Sequence, residues 1–345
     1  MSRLVEPRGA GTWSIVTSAV DEPYNLVTTG KEIIMSSNRA LRYAPLRLAT
    51  TIFSVALAFS WTFTSLQAQS SYERNPISNE AWVQPFPPVR IIGNLYHVGT
   101  YDLASYLITT PEGHFLINTG AYDSAAMIRS NIEELGFNFE NIEILLTTQA
   151  HMDHVADLAA IKRITGARML AHEGDVAALE DGGNTHYRFP EGRGANFEPV
   201  MVDEALQHGD TIELGGTTLR LHNHAGHTQG ASSFTFDTVD DDGQTYSALV
   251  VNMGSINNGV ELLNTPVYPE IASAFEATFA AQKALRADVW VSSHAGHFNL
   301  HDKFSPGDPY DPQRFADPEG YREKIEFYER AYLTQLQQER SQAGR

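Results

Sequence analysis

The stretch Ile142-Glu143-Ile144-Leu145-Leu146-Thr147-Thr148-Gln149-Ala150-His151-Met152-Asp153-His154 decides how this chain is read. Its first part, Ile142 to Thr147, is a short apolar run of the kind that forms a buried strand. In an extended backbone alternate side chains share a face, so Gln149, His151 and Asp153 point one way. The turn into the next helix then brings His154 beside Asp153. Imidazole and carboxylate at this density, with no thiolate, are the donors a zinc-like divalent ion takes when a position stays open for water. A purely structural hydrogen-bonded cluster is the alternative for the same residues.

Two further donors stand at comparable strand ends. Gly226-His227-Thr228-Gln229-Gly230 follows the strand expected at Thr217 to Leu221, and its glycines allow the sharp turn from which His227 can project. Ser293-His294-Ala295-Gly296-His297 follows the strand expected at Val289 to Ser292 and puts His294 at a matching edge. His297 stays open because of its nearness to His294. The remaining histidines read as surface or packing residues: His97, His114, His172, His186, His208 and His301. His222 and His224 alternate with Leu219 and Leu221 and read as a solvated strand face.

Working outward, strands are expected at Ile91 to Val98, Ser105 to Thr109, His114 to Asn118, within Asp203 to Asp237, and at Ala248 to Asn252. Helices are expected at Ala125 to Leu135, Val155 to Thr165, Ile271 to Leu285 and Glu319 to Gln338. Ser70 to Pro88 is polar and Pro-rich and reads as an extended lead-in. Two similar blocks of strands followed by helices indicate two sheets packed together with helices outside, a single α+β domain of four layers, αββα. No repeat of solenoid period interrupts it.

Composition narrows the chemistry. The 345 residues carry 24 basic and 42 acidic side chains, a net charge of -18 that repels a phosphate backbone, so no nucleic-acid partner is expected. Zero cysteine removes disulfides, Cys-based zinc fingers, iron-sulfur clusters and thiol catalysis, leaving His, carboxylate or amide to hold any metal.

Leu48 to Ala68 is uncharged and apolar, follows Arg39, Arg42 and Arg47, and ends on a small residue before Gln69, the shape of a cleavable secretory signal. Residues 35–68 are therefore expected to be a signal peptide starting naturally at Met35, with residues 1–34 an extension from a mis-called start, and residues 69–345 the single domain. An uncleaved membrane anchor is the alternative, made less attractive by the Ser and Thr content and by Gln67. An exported chain without cysteine fits a bacterial periplasm, with no membrane attachment after cleavage.

From about Val89 to Gln338 the chain resembles the metallo-β-lactamases, most closely their third subclass, in the variant with Gln in place of the first His of His-x-His-x-Asp-His. The loop Gly99-Thr100-Tyr101-Asp102-Leu103-Ala104-Ser105, the Gln149 to His154 motif, Gly226-His227-Thr228 and His294 carry the resemblance, in that family's order and approximate spacing. It implies two zinc ions. Gln149, His151 and His227 would hold the first, and Asp153, His154 and His294 the second, with Asp153 also orienting the metal-bound hydroxide that attacks the β-lactam carbonyl. Penicillins, cephalosporins and carbapenems are the implied substrates, with antibiotic resistance the consequence and a monomer the favoured state. Ser255 would meet the substrate carboxylate, and Tyr101 would border the cleft.

Two departures matter. Gln149 is a poorer donor than imidazole, which predicts weaker binding at the first position and a form with one zinc, held at the second. Asn118 stands where the wider superfamily often has Asp, which predicts looser orientation of a ligand. The same fold also serves lactonases and thioesterases. Those that resemble this chain usually bridge their metals with an Asp after the strand equivalent to Ala248 to Asn252, where this chain has Asn252-Met253-Gly254-Ser255. A non-catalytic periplasmic zinc-binding protein is the rival from another class.

Overall fold

The computed structural model describes residues 72–344 apart from 190 and 193. The stretches expected to be a signal peptide and an extension before it, residues 1–68, lie outside the described residues. No helix among the described residues is long and apolar enough to cross a membrane.

The chain runs β1 (Val89–Ile92), β2 (Leu95–His97), β3 (Tyr106–Thr110), β4 (Gly113–Ile117), α1 (Ala125–Glu134), β5 (Ile142–Leu146), α2 (Met152–Val155), α3 (Leu158–Thr165), β6 (Arg168–His172) and α4 (Glu173–Glu180). It continues through β7 (Glu204–Leu206), β8 (Thr211–Leu214), β9 (Thr217–Asn223), β10 (Ser232–Val239), β11 (Thr245–Val251), α5 (Ile271–Ala284), β12 (Val289–Ser292), α6 (Leu300–Lys303) and α7 (Pro318–Ala343). Seven strands form one sheet in the order β1 to β7, antiparallel through β4 and parallel from there on. The second sheet runs β12-β11-β10-β9-β8, antiparallel except for the β11–β12 pair.

Alternation along the strands builds the layers. Tyr106 and Ile108, Phe115 and Ile117, and Ile144 and Leu146 face the second sheet's Leu219, Leu221, Phe234 and Val250 in one buried core. Their neighbours Leu107, Leu116 and Leu145 turn the other way, onto Ile128 and Ile132 of α1 and Leu158 and Ile161 of α3. The period of two therefore serves both faces, which is why these strands read as continuous apolar runs. Phe275 and Phe279 of α5 and Tyr321, Ile325, Tyr332 and Leu336 of α7 cover the far side of the second sheet. The expected αββα sandwich is the architecture formed.

Three boundaries differ from expectation. The run Ile91 to Val98 is two strands joined by a tight turn at Gly93, whose φ of 51° suits glycine. The helix expected at Val155 to Thr165 is broken in two, because Asp157 leaves helical geometry at ψ 9° and its carboxylate accepts from Ala125 N and Asp123 N at the start of α1. Strand β6 and helix α4 were not expected; a five-residue strand between two helices offers little period to read.

Candidate metal centre

Strands β5, β9, β11 and β12 all end at one rim of the sandwich, and the loops that follow them carry the donors. Ser232 N donates to Thr148 O across the gap between the sheets, so the rims are tied by backbone. Gln149, His151, Asp153, His227 and His294 line a single cavity of about 330 Å³. His154 lies fully buried beneath it.

Asp153, His154 and His294 offer ligand atoms that all lie within 4.8 Å of one another. Asp153 Oδ2 is 3.2 Å from His154 Nε2 and 3.6 Å from His294 Nε2. Neither ring nitrogen of His154 makes a well-directed hydrogen bond among the described residues, the Nε2 contact with Asp153 included. A buried imidazole left so beside a carboxylate is costly unless something completes it, and a divalent cation does so. These three residues fit a metal.

His294 is aimed from behind. Its Nδ1 lies 3.1 Å from Asp102 Oδ2, and Trp82 Nε1 donates to the same oxygen at 3.1 Å. Burial opposes a charge on His294, yet Asp102 and Asp153 lift it to about 9. Burial likewise works against ionisation of Asp153, and His154 and His294 overcome it, holding that carboxyl well below its usual range.

The second set of donors pairs two imidazoles with an amide. His151 Nδ1 stands 3.1 Å from His227 Nε2. His227 Nδ1 lies 2.7 Å from the Ser255 carbonyl oxygen, which can only accept, so the proton is on Nδ1 and the Nε2 lone pair faces His151. Burial drives the His227 imidazole down to about 4, and burial together with His227 and His186 drives His151 well below its usual value. Both are therefore neutral, the state in which imidazole binds a metal. Gln149 Oε1 accepts from Asn252 Nδ2 at 3.1 Å, and the same amide donates to Thr148 O at 2.6 Å.

Of the two substrate-contact candidates, Ser255 lines the cavity, with its Oγ 3.1 Å from His227 Nδ1. Tyr101 does not. Its ring stacks on His301 at 3.8 Å and meets Phe86 edge-on, so the apolar face is spent on packing and the wall is formed instead by Trp82 of the lead-in. The direction of that ring depended on a partner two hundred positions away.

Two histidines, His222 and His224, depart from the solvated face expected of them, while His186 and His297 prove to be neighbours of the donors. His186, read as surface or packing, is buried with its Nε2 2.9 Å from His151 Nε2. His224 is buried rather than solvated, since Ser233 of β10 and Gln282 of α5 close over it, and His222 is half-buried against Thr235. His297 lines the cavity, 3.2 Å from Ser292 Oγ. Asp102 and Trp82 were missed as well; a lone acid in a loop and a Trp in a Pro-rich lead-in carry no pattern.

Asn118 takes up the loop orientation expected to suffer. Its Oδ1 accepts from Thr148 N at 2.8 Å and from the Thr147 and Thr148 hydroxyls, while its Nδ2 donates to Ala104 O, a carbonyl that a carboxylate would repel.

Comparison with known proteins agrees with this fold. A model of the metallo-β-lactamase superfamily matches residues 100–240. Among solved structures, a β-lactamase from Chitinophaga pinensis is 44% identical, with 76% of this chain and 98% of that one covered and a TM-score of 0.74. The metallo-β-lactamase GOB-18 from Elizabethkingia meningoseptica is 42% identical over 78% and 98%, TM-score 0.75. The class B3 di-zinc metallo-β-lactamase LRA-12 from an Alaskan soil metagenome is 45% identical over 76% and 99%, TM-score 0.74. A hydroxyacylglutathione hydrolase from Bradyrhizobium sp. (strain BTAi1 / ATCC BAA-1182) is 28% identical over 136 residues, 39% of this chain and 44% of that protein. The chain thus spans under half the length of that curated relative. With the paired sheets, the donor-bearing rim and near-complete coverage of solved relatives above 40% identity in view, the chain belongs to the metallo-β-lactamase superfamily.

Proposed function

We propose that this protein is a zinc-dependent β-lactamase of the third subclass, in the variant with glutamine in the first donor set. Gln149, His151 and His227 would hold one zinc and Asp153, His154 and His294 the other. Bound there, zinc supplies Lewis acidity, bringing the pKa of water toward neutrality and polarising a carbonyl. The chain's own residues do the rest. Asp153 stays ionised at the cavity floor and can take a hydrogen bond from an attacking water. The Asp102 carboxylate fixes His294, and the Ser255 carbonyl fixes His227, so that each presents Nε2. Ser255 Oγ can donate to a substrate carboxylate, and among the described residues Arg188 is the one Lys or Arg in the cavity wall, giving an anion a favourable approach on an acidic protein. Trp82 and Phe189 supply apolar wall.

The observation that carries this reading against a thioesterase is Asn252. Its amide donates to Thr148 O and Gln149 Oε1, so the position holds a neutral donor where a bridging carboxylate would be needed. The same reading takes residues 35–68 as an export signal and places the reaction in the periplasm, carried out by a monomer. The test is turnover by zinc-loaded protein of a chromogenic cephalosporin and of an S-acylglutathione thioester, each with and without a chelator. Chelator-sensitive cephalosporin hydrolysis is expected. Thioester hydrolysis alone would overturn the proposal, and no turnover of either would return the chain to the non-catalytic zinc-binding reading.

A further inference from the structure

Helix α4 contributes no donor to the cavity, yet it sends a carboxylate behind it. Asp175 is 3% exposed, and no Lys or Arg pairs with it among the described residues. Its Oδ2 accepts from Ala150 N at 2.9 Å and from Thr228 Oγ1 at 2.8 Å, and its Oδ1 accepts from Gly230 N at 2.9 Å. Ala150 stands between Gln149 and His151, and Thr228 follows His227. One carboxylate therefore joins the two loops from which the first donor set projects.

The seat is close. A Cβ on Gly230 would lie 2.5 Å from Asp175 N, and one on Gly174 would lie 2.7 Å from the Gln229 carbonyl. Neither glycine has positive φ, so space rather than backbone conformation calls for glycine at both. A buried carboxylate without a cation is an expensive group, and an apolar side chain would fill the same volume more cheaply. What the carboxylate alone provides is an acceptor for three donors on two separate loops. The other donor set is held differently: Trp82 and Asp102 fix His294, and Thr119 N donates to His154 O.

We propose that Asp175 is the positioning residue of the first metal site, clasping the loops of His151 and His227 so that their facing nitrogens stay at binding separation. The proposal rests on the donor assignment under Proposed function. It requires an effect on one site and not the other, which a merely structural residue would not give.

The experiment is a titration of metal-free protein with zinc against a chromophoric competing chelator, for wild type, Asp175→Ala, Asp175→Asn and Thr228→Val. Wild type takes up two equivalents. In Asp175→Ala the weaker, first-site affinity falls about 10- to 100-fold, the range for losing a group that orients a ligand, and the second-site affinity is unchanged. Asp175→Asn keeps an acceptor at the Oδ2 position and recovers part of the loss. Thr228→Val removes one of the three bonds at nearly constant volume, folds even where Asp175→Ala does not, and moves first-site affinity in the same direction by less. Two equivalents bound with wild-type affinities in Asp175→Asn and Thr228→Val would overturn the proposal, as would parallel loss at both sites. A wild type that binds a single equivalent also overturns it while leaving a mononuclear β-lactamase intact. Two equivalents bound without cephalosporin turnover would defeat the function and spare the clasp.

Discussion

His97 is fully buried between Phe86 and Tyr106, with neither ring nitrogen hydrogen-bonded among the described residues. Burial, aided by His301, pushes it down to about 3. In the unfolded chain it titrates near 6.5, so below that pH the unfolded state takes up a proton that the folded state refuses. Stability is lost as pH falls from about 6.5 to about 3, by about 1.4 kcal/mol per pH unit from this residue. In His97→Phe the slope of unfolding free energy against pH should be shallower by about that amount between pH 6 and 4, measured by urea denaturation of metal-free protein. An unchanged slope would place the acid sensitivity elsewhere. Asn118 gives a second case. Asn118→Ala strips Thr148 N of its acceptor and puts a Cβ residue without a side-chain partner at φ 64°, so a loss of about 2 to 4 kcal/mol is expected by chemical denaturation. At this scale the sequence was legible where donors crowd together. His151, Asp153 and His154 fall within four residues after a buried strand, whereas Asp102, His186 and Asp175 stand singly and acquire meaning only from partners far along the chain.

Elements were legible where both faces of a strand are apolar or a helix is long, as in β5, β12, α5 and α7. They were obscure where tertiary bonds cut a pattern short, as Asp157 does between α2 and α3. The loop between β9 and β10 shows how one element constrains another. Gly226 has φ 130°, and a Cβ there would lie 2.8 Å from the Phe275 ring of α5. Gly226→Ala must move the loop away from α5 and carry His227 with it. The expected outcome is a stability loss of about 2 to 4 kcal/mol together with weaker zinc binding, read by denaturation and by metal titration on the same preparation. Wild-type zinc affinity in a destabilised variant would show that His227 is held independently of its loop.

On the scale of the whole molecule, the two sheets meet the cavity from opposite sides, so any ion held there ties one half of the sandwich to the other. Gln149 to His154 follow the first sheet's β5, and His227 and His294 follow strands of the second. Ligand bound only by the folded state raises stability by about 2.7 kcal/mol at a hundredfold excess over Kd. Thermal unfolding should therefore shift upward by about 5 to 10 °C on zinc addition and return on chelation. In Asp153→Ala most of that shift should vanish. A zinc-independent midpoint in wild type would mean that the rim donors are not joined by metal.

The position of β12 near the end of the chain has a bearing on biogenesis. Asp153 and His154 emerge early in synthesis, but their third companion, His294, is made only after both sheets are otherwise complete. A polypeptide that stops short of His294 can offer two of these donors and no more. The three-donor grip of Asp153, His154 and His294 is thereby withheld until the last strand of the second sheet has been made.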